Sequence, residues 1–138
     1  MSPHRTASAA VSAIGHDHAQ LSYAYLNSGD IDGYASLFHA DAVVRRPDAG
    51  IIRGRDELER DRTAASRTRD GHYVVQHVFA SGGRVAVTGR FVLDAPRATG
   101  DGVEFADIFT VDESGLLLAQ STYFFVPPTG PPTAASAR

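Results

Sequence analysis

The chain has 138 residues, a formal net charge of −3 and no cysteine, and all thirteen of its basic residues are arginine. The missing cysteine excludes disulfides, thiolate nucleophiles and zinc–thiolate sites, and the missing lysine excludes a side-chain Schiff base and a lysine-type phosphate loop. The size predicts one domain, the mild acidity argues against a nucleic-acid or anionic-membrane surface, and no run of ~18 apolar residues offers a membrane span.

The first eight residues read as loose, the folded part as 9–126, and 127–138 (PPTGPPTAASAR) as a disordered, proline-rich tail. Met1 to Ala13 lacks the apolar core of a signal peptide, so a cytoplasmic protein is expected. Residues 9–28 predict a helix whose stripe is Val11, Ile14, His18, Leu21 and Tyr25, ended by Asn27-Ser28-Gly29. Asp30 can cap a short second helix carrying Ile31, Tyr34, Leu37 and Phe38. Ala42 to Arg46 predicts a strand stopped by Pro47, and Arg53 opens a polar third helix to about Ser66. The period then changes to two. Tyr73–Ser81, Arg84–Asp94, Val103–Asp112 and Leu116–Val126 predict strands joined in part by Gly-containing turns. Helices followed by strands give an α+β layout, a curved antiparallel sheet with helices on one face. Both faces of the last two strands are apolar, so a second subunit is expected over the outer face, making a homodimer.

Polar residues inside apolar rows single out the chemistry. Asp107 interrupts Val103, Phe105, Phe109 and Val111, and a carboxyl there must be neutral or paired. His77 interrupts Tyr73, Val75 and Phe79 and has the ordinary chemistry of a proton carrier. On one sheet face the two would make an oriented acid/base pair; separately each has a plain structural reading. His18, with Ser22 one turn on, either looks into the cavity or bonds a backbone carbonyl. Arg46 and Arg90 either stabilise developing negative charge or face solvent. Tyr34, Phe38, Val75, Phe105, Thr122 and Phe124 complete the expected substrate lining. His16 and His18 flank Asp17 but point different ways on a helix, so no metal site is expected. No His-Glu-x-x-His, Gly-x-Ser-x-Gly or Gly-x-Gly-x-x-Gly motif is present.

The run from Tyr25-Leu26-Asn27-Ser28-Gly29-Asp30 through Leu37-Phe38-His39-Ala40-Asp41-Ala42-Val43-Val44 resembles the SnoaL-like proteins, relatives of ketosteroid isomerase and scytalone dehydratase in the nuclear-transport-factor-like superfamily. Gly54-Arg55-Asp56-Glu57-Leu58, Gln76-His77-Val78 and Asp107-Ile108-Phe109 followed by Asp112-Glu113-Ser114-Gly115 are similar to later segments of that family. The resemblance implies a cone-shaped sheet wrapped by three helices around an apolar pocket, generally as a dimer. It places Asp107 where ketosteroid isomerases keep an oxyanion-binding carboxylic acid, and His77 where scytalone dehydratase keeps a histidine. There are departures. Arg46 stands where the isomerase has its base, and the isomerase's helix-1 tyrosine falls near Ser22, with Tyr23 one step away. The carboxylate positions of limonene epoxide hydrolase hold Val92 and Thr122, although Arg90 remains.

The expected function is a cofactor-independent acid/base enzyme, a cyclase, dehydratase or isomerase acting on a bulky apolar polyketide-like intermediate of natural-product biosynthesis. The catalytic set is His77, Asp107, Arg46 and Arg90, and neither metal, nucleic acid nor membrane is involved. The alternative is a non-catalytic small-molecule-binding or dimerisation module, favoured if His77 and Asp107 fall on opposite faces.

Overall fold

A computed structural model describes residues 3–95, 100 and 102–126. The elements in chain order are α1 (Pro3–Asn27), α2 (Ile31–Ser36), β1 (Phe38–Arg46), β2 (Gly50–Arg53), α3 (Arg55–Glu59), α4 (Arg62–Asp70), β3 (Gly71–Ser81), β4 (Arg84–Leu93), β5 (Val103–Val111) and β6 (Leu117–Phe124). The helix expected from residue 9 therefore starts at Pro3, and the tail at 127–138 lies outside the described residues.

The alanine-rich α1 ends as its sequence predicts. Gly29 takes φ +77°, and the bonds Asp30 N–H to Tyr25 O and Gly29 N–H to Leu26 O close a Schellman turn. Asp30 then caps α2 by accepting from the Gly33 N–H at 2.8 Å. The face of α1 against the sheet is not the stripe the large apolar residues suggest. Gly15, Ala19, Ser22, Tyr23 and Leu26 are buried, whereas Ile14 and Leu21 are exposed. Small residues bring the helix in close: a Cβ at Gly15 would sit 2.7 Å from a Val111 methyl.

The polar helix read from Arg53 to about Ser66 is instead two short helices, α3 and α4. The break comes at Asp61, whose carboxylate caps α4 by accepting from the Thr63 and Ala64 N–H groups. The sequence reading also lacked β2, which pairs antiparallel with β1 across the Pro47–Ala49 turn.

The six strands form one curved, unclosed sheet in the order β2-β1-β6-β5-β4-β3. Every pairing is antiparallel except β1 with β6, which is parallel. Bulges in β1, β3 and at the end of β5 bend it. At Gly89 the bend requires glycine, because a Cβ would lie 2.2 Å from the Val74 carbonyl oxygen. The α+β cone with N-terminal helices against a curved sheet is thus the observed architecture. No helix among the described residues is long and apolar enough to cross a membrane.

The core lies between α1, α2, α3 and the inner sheet face, around the fully buried Tyr34, Phe38, Leu58, Phe109 and Leu117. Large buried side chains of this kind each contribute about 1.5–3 kcal/mol, and they hold the polar groups that follow in a dry interior.

Candidate active site

β5 carries Phe105, Asp107, Phe109 and Val111 inward, and the register sets Asp107 opposite Val87 on β4 and Thr122 on β6. Asp107 is 2% exposed. One carboxyl oxygen accepts from the Tyr23 hydroxyl of α1, and the other accepts from the Thr122 hydroxyl. Aromatic rings surround the Tyr23 end of this triad: the Tyr23 ring lies 5.6 Å from Tyr73, 5.7 Å from Phe105 and 6.3 Å from Phe109.

Burial raises the Asp107 pKa above its ordinary 3.8, and hydrogen bonds from Thr122, Tyr23 and Gln120, together with the Arg46 charge, oppose the shift without cancelling it. Burial, then the neighbouring Asp107, pushes Tyr23 well above the usual phenol range. Tyr34 is pushed up to about 12, again by burial, with Arg46 pulling the other way. The interior therefore favours neutral O–H groups that donate and accept. The Tyr23 and Thr122 hydroxyls can do both, so the triad has room for a proton on Asp107.

A second layer sits behind the first. The Tyr34 hydroxyl donates to Gln120 Oε1 at 2.7 Å, and the Tyr34 ring stacks edge-on with Phe38 at 5.0 Å. Arg46, 5% exposed, forms a buried ion pair with Asp61, and its Nε has no partner among the described residues. Arg67 donates to the Tyr73 hydroxyl and pairs with Asp48.

The structure brings together only part of the expected site. Asp107, Arg46, Tyr34, Phe38, Phe105 and Thr122 meet in the interior, with Val75 and Phe124 packed against its wall. His77 does not join them. The bulge between Val75 and His77 leaves Gln76 unpaired and shifts the alternation, so His77 registers with Thr88 and faces outward, its ring stacked on Phe79 at 5.9 Å. The expected His77–Asp107 pair is thereby overturned. Arg90 also lies outside, opposite Glu104 and 3.6 Å from its carboxylate. His18 does not enter the cavity, because its Nδ1 is 2.6 Å from the Gly115 carbonyl oxygen. Ser22 is buried but spends its hydroxyl on Ala19 O one turn back.

Tyr23 takes the place that the sequence reading gave to Ser22. Its signal was the small-residue stripe Gly15, Ala19, Ser22/Tyr23, Leu26, which marks the true buried face. Asp61 and Gln120 had no comparable signal, since their partners are distant in sequence. No group of three or more His, Asp or Glu among the described residues could hold a metal ion.

Clefts open on both faces beside β6, and two of them lie near its inner row. One, of about 360 Å³, is lined by Phe91, Leu93, Gly102, Val103, Phe124 and Val126. The other, of about 320 Å³, lies where β1 ends, between Arg45, Arg46, Pro47, Gly50, Ile51, Ser121, Thr122 and Tyr123. Thr122 thus touches both the second cleft and the buried carboxyl.

The SnoaL-like domain family matches residues 19–119. The chain belongs to the SnoaL-like family. Solved structures agree on the fold. A protein of unknown function with a cystatin-like fold from Methylobium petroleophilum PM1 superposes with a TM-score of 0.74 at 12% identity, covering 86% of this chain and 80% of that one. A SnoaL-like protein of unknown function from Burkholderia thailandensis E264 gives 0.67 at 16%, covering 83% and 97%. The epoxide hydrolase/cyclase-like enzyme SalBIII, which has a role in pyran ring formation in the polyether salinomycin, gives 0.64 at 15%, covering 81% and 91%. No functionally curated protein matches the sequence. At these identities the superpositions establish the fold alone.

Proposed function

We propose that this SnoaL-like protein is a cofactor-independent acid/base enzyme, a cyclase, dehydratase or isomerase acting on an apolar polyketide-like intermediate. The observation that carries this reading is the carboxyl of Asp107, buried in an aromatic interior that raises its pKa and held from both sides by hydroxyls. A neutral carboxylic acid in a dry site can donate to an oxygen that gains negative charge as an enolate or alkoxide forms, where a charged carboxylate would repel it. Tyr23 and Thr122 are positioning residues that fix the acid's orientation. The apolar cleft beside Phe124 holds the substrate's hydrocarbon body. A second copy of the chain covers the outer sheet face.

The test is turnover of a panel of enolisable ketones and epoxides of polyketide type, with products identified by mass spectrometry. Asp107→Asn keeps the shape and loses the acid, so the rate should fall about 10²–10³-fold with folding intact. Activity of the native chain should be lost as pH rises through the Asp107 pKa. Tyr23→Phe removes a hydrogen bond that favours the carboxylate, so it should move that loss to higher pH. Full turnover in Asp107→Asn would sink the assignment.

A binding module is the second reading. It is favoured by the outward placement of His77, which takes that imidazole base out of the interior. Tight binding of the same compounds with no turnover by the native chain would select it.

A further inference from the structure

We propose that Tyr73 is the specificity-determining residue of the site, a ring that a ligand must displace to pass from the apolar cleft beside Phe124 to Asp107, and that Arg67 is the latch that holds it shut. This rests on the reading above, because it supplies the route by which a substrate reaches the buried acid.

The strand register puts one inner row between the cleft and the acid. Phe91 and Val103 line the cleft and pair with each other, and Phe91 pairs with Tyr73 on its other side. Asp107 is the second inward position beyond Val103 on β5, beside Val87 and Thr122. The row between holds Val75, Gly89, Phe105 and Phe124. Gly89 has no side chain to fill that row, so aromatic rings do. The Tyr73 ring lies 5.0 Å from Phe91 on the cleft side, 5.4 Å from Phe105, and 5.6 Å from Tyr23, whose hydroxyl bonds Asp107. Tyr73 therefore packs against both the wall of the cleft and the acid's own partner.

Backbone and side chain of Tyr73 are held separately. Asn27 of α1 fixes the backbone, accepting from the Tyr73 N–H at 2.7 Å and donating to its carbonyl oxygen at 2.9 Å. The side chain is pinned at its tip, where Arg67 Nη1 donates to the hydroxyl at 2.9 Å. A charged donor makes that pin stronger than a neutral one would. Releasing it leaves no charge unpaired, because Arg67 keeps its ion pair with Asp48 in the β1–β2 turn. With the backbone fixed and the tip released, the ring can change rotamer and open the row beside Gly89. A gate that is closed in most molecules lowers the apparent affinity by the fraction that is open. Weakening the latch should then tighten binding, although it adds no contact to the ligand.

The probe is prodan, a flat, neutral naphthyl ketone whose fluorescence shifts in apolar surroundings, titrated into the full chain. Arg67→Met removes the latch and keeps an apolar stem. Its loss leaves Asp48 at a position where the side chain is 38% exposed to water, so folding should be kept. Tyr73→Phe keeps the ring and removes its tip. Each variant should bind prodan about tenfold more tightly than the native chain. Tyr73→Ala removes the ring and should also admit acetylpyrene, a wider ketone that the native chain excludes. Circular dichroism and amide NMR check that all three are folded. A residue that only supported the fold, or that gripped the ligand, would give equal or weaker binding. Equal or weaker binding in both Arg67→Met and Tyr73→Phe therefore overturns the proposal. Exclusion of acetylpyrene by folded Tyr73→Ala removes Tyr73 as the partition, and prodan binding by neither the native chain nor Tyr73→Ala overturns the route. The tightening is read from binding alone, so it can stand if Asp107→Asn keeps full turnover, and loss of turnover in Asp107→Asn can stand if the gate fails.

Discussion

Asp107 shows how one residue trades stability for chemistry. Its folded pKa is raised by burial, while in the unfolded chain it ionises near the ordinary 3.8. The sign follows from which state holds the proton longer. Below about 3.8 both states are protonated and the group costs nothing. As pH rises the unfolded chain releases its proton first, so stability falls until the folded pKa is passed, then levels off. Asp107→Asn is neutral throughout. Its melting temperature should therefore match the native chain's at the acid end, gain on it with rising pH, and then hold a constant lead. Thermal melts of the two proteins from about pH 2.5 to pH 8 give that difference directly. A difference independent of pH would mean that Asp107 titrates alike in both states, and the protonated donor would be lost with it. Stabilisation of a variant that has lost turnover is the pattern expected where an active site is built at the fold's expense.

At the level of elements, what was legible depended on how local the cause was. The end of α1 and the start of α2 are written in Asn27-Ser28-Gly29-Asp30, and the structure has both. The long strands were equally plain, although the four-residue β2 was missed, and Asp107 stands in the buried row its neighbours implied. His77 was misplaced because alternation can be counted from sequence but a bulge cannot, and one unpaired residue at Gln76 turns everything after it over. The phase of α1 was misjudged because the largest apolar side chains do not mark the buried face when glycine and alanine permit a closer approach. The break between α3 and α4 was missed because Asp61 does two things at once. One oxygen caps α4, and the other meets the buried Arg46 guanidinium from β1. Asp61→Ala removes the cap, worth about 1 kcal/mol, and strands a buried charge, worth about 3–5 kcal/mol. Asp61→Asn keeps an acceptor for the helix and should cost distinctly less than the alanine variant. Urea unfolding of the two separates the contributions, and equal losses would show that the cap adds nothing.

For the molecule as a whole the unresolved surface is the outer face of the sheet. The helices cover only the inner face, yet the outer face carries Phe79 at 61% exposure, Tyr123 at 54% and Ile108 at 36%. Ile108 sits between Ala86 of β4 and Ser121 of β6, near the middle of that face. Phe79 is stacked with His77, so the residue that left the interior now belongs to this surface. Large apolar side chains gathered on one face of a sheet mark an association surface, and a sheet face repeated by a two-fold axis is self-complementary without further design. Ile108→Arg puts a long charged side chain at its centre while leaving the inner row of β5 untouched, so folding should be unaffected. Sedimentation equilibrium should give twice the chain mass for the native protein and a single chain mass for Ile108→Arg at the same concentration, with unchanged circular dichroism. A monomeric native protein would remove the dimer, and a dimeric Ile108→Arg would move its interface elsewhere. Because Asp107, Tyr23 and Thr122 all lie on the opposite face, a monomeric Ile108→Arg should still bind ligand, which separates the role of the outer face from that of the pocket.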